Sequence, residues 1–249
     1  MHLEQKWALV TGGNTGIGEQ VALELVAKGA HVVIVARDRD RAQAVTARHP
    51  DRMAFIQADL SLPDEQDRVV REVTQRFPQL AILVNNAGVQ VNMPAVSIGS
   101  GDQMTRFRSE IAVNLTAPVA LSFGLMPLLA GQPEAAIVNV SSGLAVAPKR
   151  TAPVYCASKA GLRTFSRALR YRCEDAAPEI RVIDVIMAFV DTGMTRDRGG
   201  RKMSARASAK AIVAGIEGQR REVWVGKTRL LRIVGHLFPG LAYRLMRNG

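Results

Sequence analysis

The sequence predicts an α/β protein: a single doubly wound domain with a seven-stranded parallel sheet and helices on both faces. Three observations carry this expectation. Short, continuous apolar runs alternate with segments of helical period, as strands buried on both faces require. The first run leads through a glycine-rich turn directly into a helix. No Pro/Gly/Ser-rich linker, internal repeat or low-complexity stretch divides the 249 residues, a length that one α/β domain can fill.

The elements follow in order. Trp7-Ala8-Leu9-Val10 is the first apolar run, and it ends in Thr11-Gly12-Gly13. Residues 16–28 place Ile17, Val21, Leu25 and Val26 at helical spacing, and Gly29 stops that helix. Val32–Val35 is the second strand, 38–48 a helix, 54–56 the third strand, 63–76 a helix and Ala81–Val84 the fourth strand. One long helical stretch is expected over 103–130, with Pro127 near its end. Ile137–Val140 is the fifth strand, 153–175 a helix, Val182–Ile186 the sixth strand, 205–217 a helix and Glu222–Val225 the last strand.

Composition narrows the function classes. The formal charge is +11, unevenly spread. Residues 1–195 hold 20 Lys/Arg against 19 Asp/Glu, whereas residues 196–249 hold 13 against 3. A neutral body with a basic tail, and only 5% aromatic residues, argues against a nucleic-acid binder. Cys156 and Cys173 offer no disulfide framework, and the four scattered histidines suggest no metal site. No signal-peptide core or 18-residue apolar run is present, so the expectation is a cytoplasmic protein.

The turn Thr11-Gly12-Gly13-Asn14-Thr15-Gly16-Ile17-Gly18 lies between the first strand and the first helix. Glycines there let the backbone turn sharply and approach a pyrophosphate, which then meets the N–H groups and positive dipole end of the helix. The expected domain is therefore of the Rossmann type. The spacing is G-x-x-x-G-x-G, and here the sequence resembles the classical short-chain dehydrogenase/reductase family. Further along, Asn85-Asn86-Ala87-Gly88 after the fourth strand, Asn114 in Val113-Asn114-Leu115, Ser142 after the fifth strand, and Tyr155 with Lys159 as Y-x-x-x-K match that family's motifs in order.

Tyr155 and Lys159, four apart in a helical segment, share one helix face. A nearby ammonium stabilises a phenolate and draws the phenol toward general acid/base work. The resemblance implies that Tyr155 exchanges a proton with a carbonyl oxygen as hydride is transferred. It implies that Lys159 also bonds the nicotinamide ribose, Ser142 bonds the substrate oxygen, and Asn114 holds a water linking Lys159 to solvent. Ser142, thirteen residues before Tyr155, matches the family's serine better than Ser141 does.

The resemblance also implies dinucleotide contacts from Gly12, Asn14, Thr15, Gly16, Ile17 and Gly18, from Asn86, Ala87 and Gly88, and from Val190 and Thr192. Asp59, with Leu60, matches the residue that contacts the adenine ring. NAD-using relatives carry Asp at the position of Ala36, and Arg37 follows here. A guanidinium suits a 2′-phosphate, so NADP(H) is expected over NAD(H). The sequence departs from the family at Met187-Ala188, where Pro-Gly is usual.

Val89, Val91, Met93, Leu144, Val146, Phe189 and Met194 follow motif positions and are candidate pocket residues for a hydrophobic ketone, although such residues also pack cores. Gly199-Gly200, within 196–203, mark an expected mobile loop over the site. The expectation is an NADPH-dependent carbonyl reductase, assembled as a homodimer or homotetramer. The alternative is a non-catalytic dinucleotide-binding regulatory protein, against which the intact Ser142, Tyr155 and Lys159 speak.

Residues 1–226 are expected to form the catalytic domain and 227–249 a basic amphipathic helical extension packed on or beside it. In the segment KTRLLRIVGHLF, Leu230, Leu231, Ile233, Val234, Leu237 and Phe238 form an apolar stripe, with Lys227, Arg229, Arg232 and His236 on other faces. Such a stripe suits either an anionic membrane surface or packing on the body or a partner subunit.

Overall fold

The computed structural model describes residues 1–93, 101–195, 199 and 202–248. The first half of the chain runs β1 (Trp7–Thr11), α1 (Gly16–Ala27), β2 (His31–Ala36), α2 (Arg39–Thr46), β3 (Met53–Gln57), α3 (Pro63–Arg76) and β4 (Leu80–Asn85). There follow α4 (Gly101–Ile111), a π-helical segment (Ala112–Thr116), α5 (Ala117–Gly124), α6 (Met126–Ala130) and β5 (Ala135–Ser142). The chain continues with α7 (Pro153–Ala176), β6 (Ile180–Met187), β7 (Val190–Asp191), β8 (Met203–Ser204), α8 (Ala205–Glu217) and β9 (Glu222–Trp224). Helices α9 (Thr228–Leu237) and α10 (Pro239–Met246) end it.

Seven strands form one sheet in the order β3-β2-β1-β4-β5-β6-β9, and all pairings are parallel. Successive residues of a strand point to opposite faces, so each central strand feeds two cores. In β1, Ala8 and Val10 join the layer with Val21 and Leu25 of α1 and Ile212 of α8. Leu9 joins the other layer, with Val69 and Val73 of α3, Leu121 of α5 and Leu169 of α7. This two-sided burial is why the strands read as continuous apolar runs. Because all seven strands are parallel, the turns after β1, β4 and β5 open at the same edge, which assembles the site.

The expected helix over 103–130 is instead three helices and a π segment. Proline explains both interruptions. Pro118 lacks the N–H that an α-helix would give to the carbonyl of Asn114, and Pro127 lacks the one for Phe123. The wider π turn lies just before the first, and a break at Leu125 precedes the second.

The C-terminal stripe is also divided. Leu231 and Val234 of α9 turn partly inward, whereas Leu230, Ile233, Leu237 and Phe238 are exposed. Among the described residues no helix is long and apolar enough to cross a membrane.

Candidate active site

The glycine turn is shaped by conformation and by close approach. Gly12 and Gly16 take φ of 65° and 58°, the left-handed region that side chains resist. A Cβ on Gly18 would lie 2.2 Å from the Gly12 carbonyl oxygen. No side chain caps the first turn of α1, whose N-cap residue is Thr15, so its N–H groups are available to an anion. A dinucleotide pyrophosphate fits this cradle.

Thr11 binds the turn to the segment after β4. Its hydroxyl accepts hydrogen bonds from the N–H of Asn86 at 3.0 Å and of Ala87 at 2.9 Å. Asn86 Nδ2 donates back to the Thr11 carbonyl at 2.9 Å. Thr192 reaches the same place: its Cγ2 lies 3.2 Å from where a Gly16 Cβ would be. Val190, two residues earlier, is buried in β7 and accepts from Thr195 Oγ1. Met187-Ala188 leads into this strand without a left-handed backbone at Ala188. Asn14 and Ile17 are half-buried, and Ile17 packs on the core beside α1.

At the end of β2, Arg37 is exposed and its Nη1 lies 3.9 Å from Asp59 Oδ2, just past β3. Asp59 Oδ1 accepts from the Ser61 N–H at 2.9 Å, and the Leu60 carbonyl accepts from Gln66. Asp38, the nearest acid following β2, is engaged otherwise. It caps α2 by accepting from the Arg41 N–H at 3.0 Å, and it pairs with the Arg41 guanidinium at 3.2 Å.

Helix α7 begins at Pro153, whose missing N–H costs nothing in a first turn. That start sets Tyr155, half-buried, and Lys159, buried, one turn apart. Lys159 Nζ donates to the Val140 carbonyl at 2.8 Å, so the ammonium is fixed beside the end of β5. A Cβ on Gly88 would lie 3.6 Å from Lys159 Nζ and 3.3 Å from Asn114 Oδ1, which places these two groups around the same glycine. Burial pulls Lys159 down from 10.5 to about 8, against the opposing pull of Asp184.

Asn114, fully buried in the π segment, uses its amide as a brace. It accepts from the Val89 N–H and donates to the Val89 carbonyl, each at 2.9 Å, and it donates to Ser158 Oγ at 3.1 Å. Ser158 in turn donates to the Tyr155 carbonyl at 2.9 Å. Ser142 is nearly buried at the tip of β5, and its Oγ accepts from the Leu144 N–H at 3.1 Å.

The pocket candidates line two short segments. Val89 is held by Asn114, Val91 N–H by Glu110 Oε1 at 3.2 Å, and Met93 N–H by the Thr151 carbonyl at 2.8 Å. Leu144 and Val146 follow Ser142 and are half-buried. Phe189 is partly exposed, with Lys202 Nζ 5.7 Å from its ring centre. The Met194 side chain, and residues 196–198, 200 and 201 of the expected mobile loop, lie outside the described residues.

Sequence reasoning missed a polar row beneath the site. Asn85, Asn139, Asp184 and Glu222 are in register across β4, β5, β6 and β9. Asn85 donates to Asn139 at 2.8 Å, and Asn139 donates to Ser166 of α7 at 2.9 Å. Ser141 donates to Asp184, and Arg163 of α7 sits 3.8 Å from Asp184 and 3.3 Å from Glu222. A polar residue inside each of two largely apolar strands, Asn139 in β5 and Asp184 in β6, was the available signal. The row gives α7 a hydrogen-bonded seat, which aims Lys159.

Burial pushes Asp184 up from 3.8 to about 6, despite the Ser141 hydrogen bond and the Arg163 charge. A raised carboxyl favours the folded state most below the unfolded value, and that favour is lost as pH rises through about 6. The stability difference between the wild type and Asp184→Asn should therefore shift against the wild type by roughly 1–3 kcal/mol from pH 4 to pH 7. Paired thermal melts across that range measure it, and a constant difference would contradict the assignment.

A family model described as short chain dehydrogenase matches residues 6–202. The chain belongs to the short-chain dehydrogenase family. Its members are oxidoreductases, and the sheet order and motif placement agree with that membership. The Bacillus subtilis (strain 168) protein described as "Uncharacterized oxidoreductase DltE" is 34% identical over 230 residues, or 90% of this chain and 89% of that protein. A short chain dehydrogenase from Burkholderia cenocepacia J2315, solved in complex with NADP, superposes with a TM-score of 0.85 at 25% identity, covering 99% of each chain. A short chain dehydrogenase/reductase from Burkholderia phymatum, solved in complex with NAD, superposes with a TM-score of 0.85 at 19% identity. It covers 100% of this chain and 97% of its own, a likeness of fold alone.

Proposed function

We propose that this dehydrogenase is an NADPH-dependent reductase of hydrophobic ketones, working in either direction on a carbonyl/secondary alcohol pair. The observation that carries the reading is Lys159, buried and fixed to Val140 one turn beyond Tyr155, facing the Gly88 segment and Asn114. When bound, the dinucleotide supplies or accepts the hydride at the substrate carbon. The chain's residues handle the oxygen. Tyr155 gives its phenolic proton to a developing alkoxide, or takes it from an alcohol. Lys159, held as an ammonium, stabilises the phenolate that remains. Ser142 donates its hydroxyl to the substrate oxygen and fixes its position. Asn114 braces the Val89 segment that walls the pocket.

Gly12, Asn14, Thr15, Gly16, Ile17 and Gly18 would cradle the pyrophosphate. Asn86, Ala87, Gly88, Val190 and Thr192 would flank the nicotinamide half, and Asp59 with Leu60 the adenine. Arg37 supports the choice of NADP(H). It is the cation at the end of β2, where Ala36 places no carboxylate and Asp38 is committed to capping α2. A charge-assisted guanidinium–phosphate pair contributes roughly 1.5–3 kcal/mol. Arg37→Ala should therefore lower kcat/KM with NADPH by about ten- to a hundred-fold and leave NADH nearly unchanged. Steady-state rates with both cofactors over a panel of ketones measure this. A wild-type preference for NADH of about ten-fold or more, itself roughly 1.4 kcal/mol, would reverse the cofactor assignment.

The pocket built by Val89, Val91, Met93, Leu144, Val146 and Phe189 favours an apolar substrate. Exposed Met104, Ile111, Phe123 and Tyr171 on α4, α5 and α7 suit a homodimer or homotetramer interface. Residues 227–249 form an extension to the catalytic domain, and their basic, apolar outer surface suits an anionic membrane.

A further inference from the structure

We infer that α10 and the segment before α7 form a seat for the phosphate headgroup of an anionic phospholipid. On this inference, the outer face of α9 and α10 lies in the bilayer interface. The inference rests on the membrane contact proposed above and assigns the residues that make it.

Pro148, Lys149, Arg150, Tyr243, Arg244 and Arg247 line one open groove. The groove is a built junction, because the Arg150 N–H donates to the Arg247 carbonyl at 3.0 Å. No carboxylate lines it. Among the described residues, Arg150, Arg244 and Arg247 pair with no acidic side chain. No Asp or Glu follows Glu222 in the chain. Arg150, Arg244 and Arg247 are exposed around this groove, and a phosphate offsets such cations with charge-assisted hydrogen bonds.

Beside the groove lies more apolar surface than the body covers. Leu231 reaches the position a Gly143 Cβ would take, at 3.2 Å, and Gly235 packs against Val146. These contacts use only the inner side of α9. Leu230 is 65% exposed, Leu245 is 66% exposed, and Ile233, Leu237, Phe238 and Leu241 are exposed with them. An apolar face flanked by cations is the arrangement an interfacial helix presents to anionic lipid.

A second copy fits this face less well. A two-fold contact sets the same patch against itself, so arginines would meet arginines with no carboxylate to offset them. The inner contacts of α9 fall on Gly143 and Val146, next to Ser142. The membrane-facing helix therefore stands at the mouth of the site, where a lipid-soluble ketone would enter.

The test is co-sedimentation of the full chain with vesicles of phosphatidylcholine alone and of phosphatidylglycerol mixed with phosphatidylcholine. The wild type should bind the mixed vesicles and not the neutral ones. Arg244→Gln/Arg247→Gln should bind roughly thirty-fold more weakly, at about five-fold per cation lost. Arg71→Gln/Lys210→Gln removes the same charge from α3 and α8, and should bind as the wild type does. Equal, negligible binding to both vesicle types would sink the membrane contact itself. Anionic-selective binding weakened equally by both double variants would leave that contact standing and overturn the groove. A Leu230→Ser/Leu237→Ser variant that changes the sedimentation mass but not vesicle binding would assign the face to a second copy and overturn the inference.

Discussion

Tyr155→Phe is expected to lower kcat by roughly 10²–10⁴ while leaving the melting temperature and dinucleotide affinity close to those of the wild type. The phenylalanine keeps the ring, which is half-buried in the first turn of α7, and removes only the hydroxyl. Its neighbours in the site are held by other bonds: Lys159 by Val140, Asn114 by Val89 and Ser158, and Ser142 by the Leu144 N–H. The loss should therefore fall on the chemical step and not on assembly of the site. Turnover of a ketone with NADPH, beside a thermal melt and a dinucleotide titration, separates the two. Retention of full activity would remove Tyr155 from the mechanism. Lys159 sharpens the expectation, because at about 8 it titrates close to the working range of such a proton transfer.

Gly18→Ala should damage binding and stability together. A Cβ at this position would lie 2.2 Å from the Gly12 carbonyl oxygen and 2.4 Å from Asn86 Nδ2. Neither neighbour is free to yield. Gly12 is anchored by its N–H to the Val35 carbonyl at 2.8 Å, and Asn86 by its amide to Thr11 at 2.9 Å. Relief requires α1 to retreat from the turn, which opens the pyrophosphate cradle. The expected cost is about 1–3 kcal/mol of stability. Dinucleotide affinity should fall by about ten-fold or more, equivalent to losing one good hydrogen bond to phosphate. Denaturant unfolding and a dinucleotide titration read the two effects. Gly240→Ala is the contrasting variant, because nothing lies within 4 Å of its added Cβ. It should stabilise α10 slightly, by about 0.5–1 kcal/mol. Equal behaviour of the two variants would contradict the close-approach argument.

Much of the architecture is local and was legible for that reason. The central strands are runs of mostly apolar residues buried on two faces, and burial leaves its mark residue by residue, whereas the edge strands β3 and β9 are covered only in part. Thr11–Gly18 carries its own conformational demand, and Tyr155 and Lys159 are brought together by one helical turn. The long helix over 103–130 was misread because apolar periodicity continues across Pro118 and Pro127, while the backbone hydrogen bonds do not.

The sequence alone thus determined the fold class, the positions of the seven strands of the main sheet, the glycine turn and the one-turn spacing of Tyr155 and Lys159. Only the tertiary structure decided how these are held. Asn85, Asn139, Asp184 and Glu222 come from four separate strands, and only parallel pairing sets them in one row beneath α7. Thr11 joins two loops 75 residues apart in the chain. The C-terminal stripe reads as one face on a helical wheel, yet the body covers only Leu231 and Val234 in part and leaves Leu230, Ile233, Leu237 and Phe238 exposed. A period records that a residue is apolar and which way it points along one element. It holds no information on what stands opposite, and that depends on strand order, register and the space left between helices.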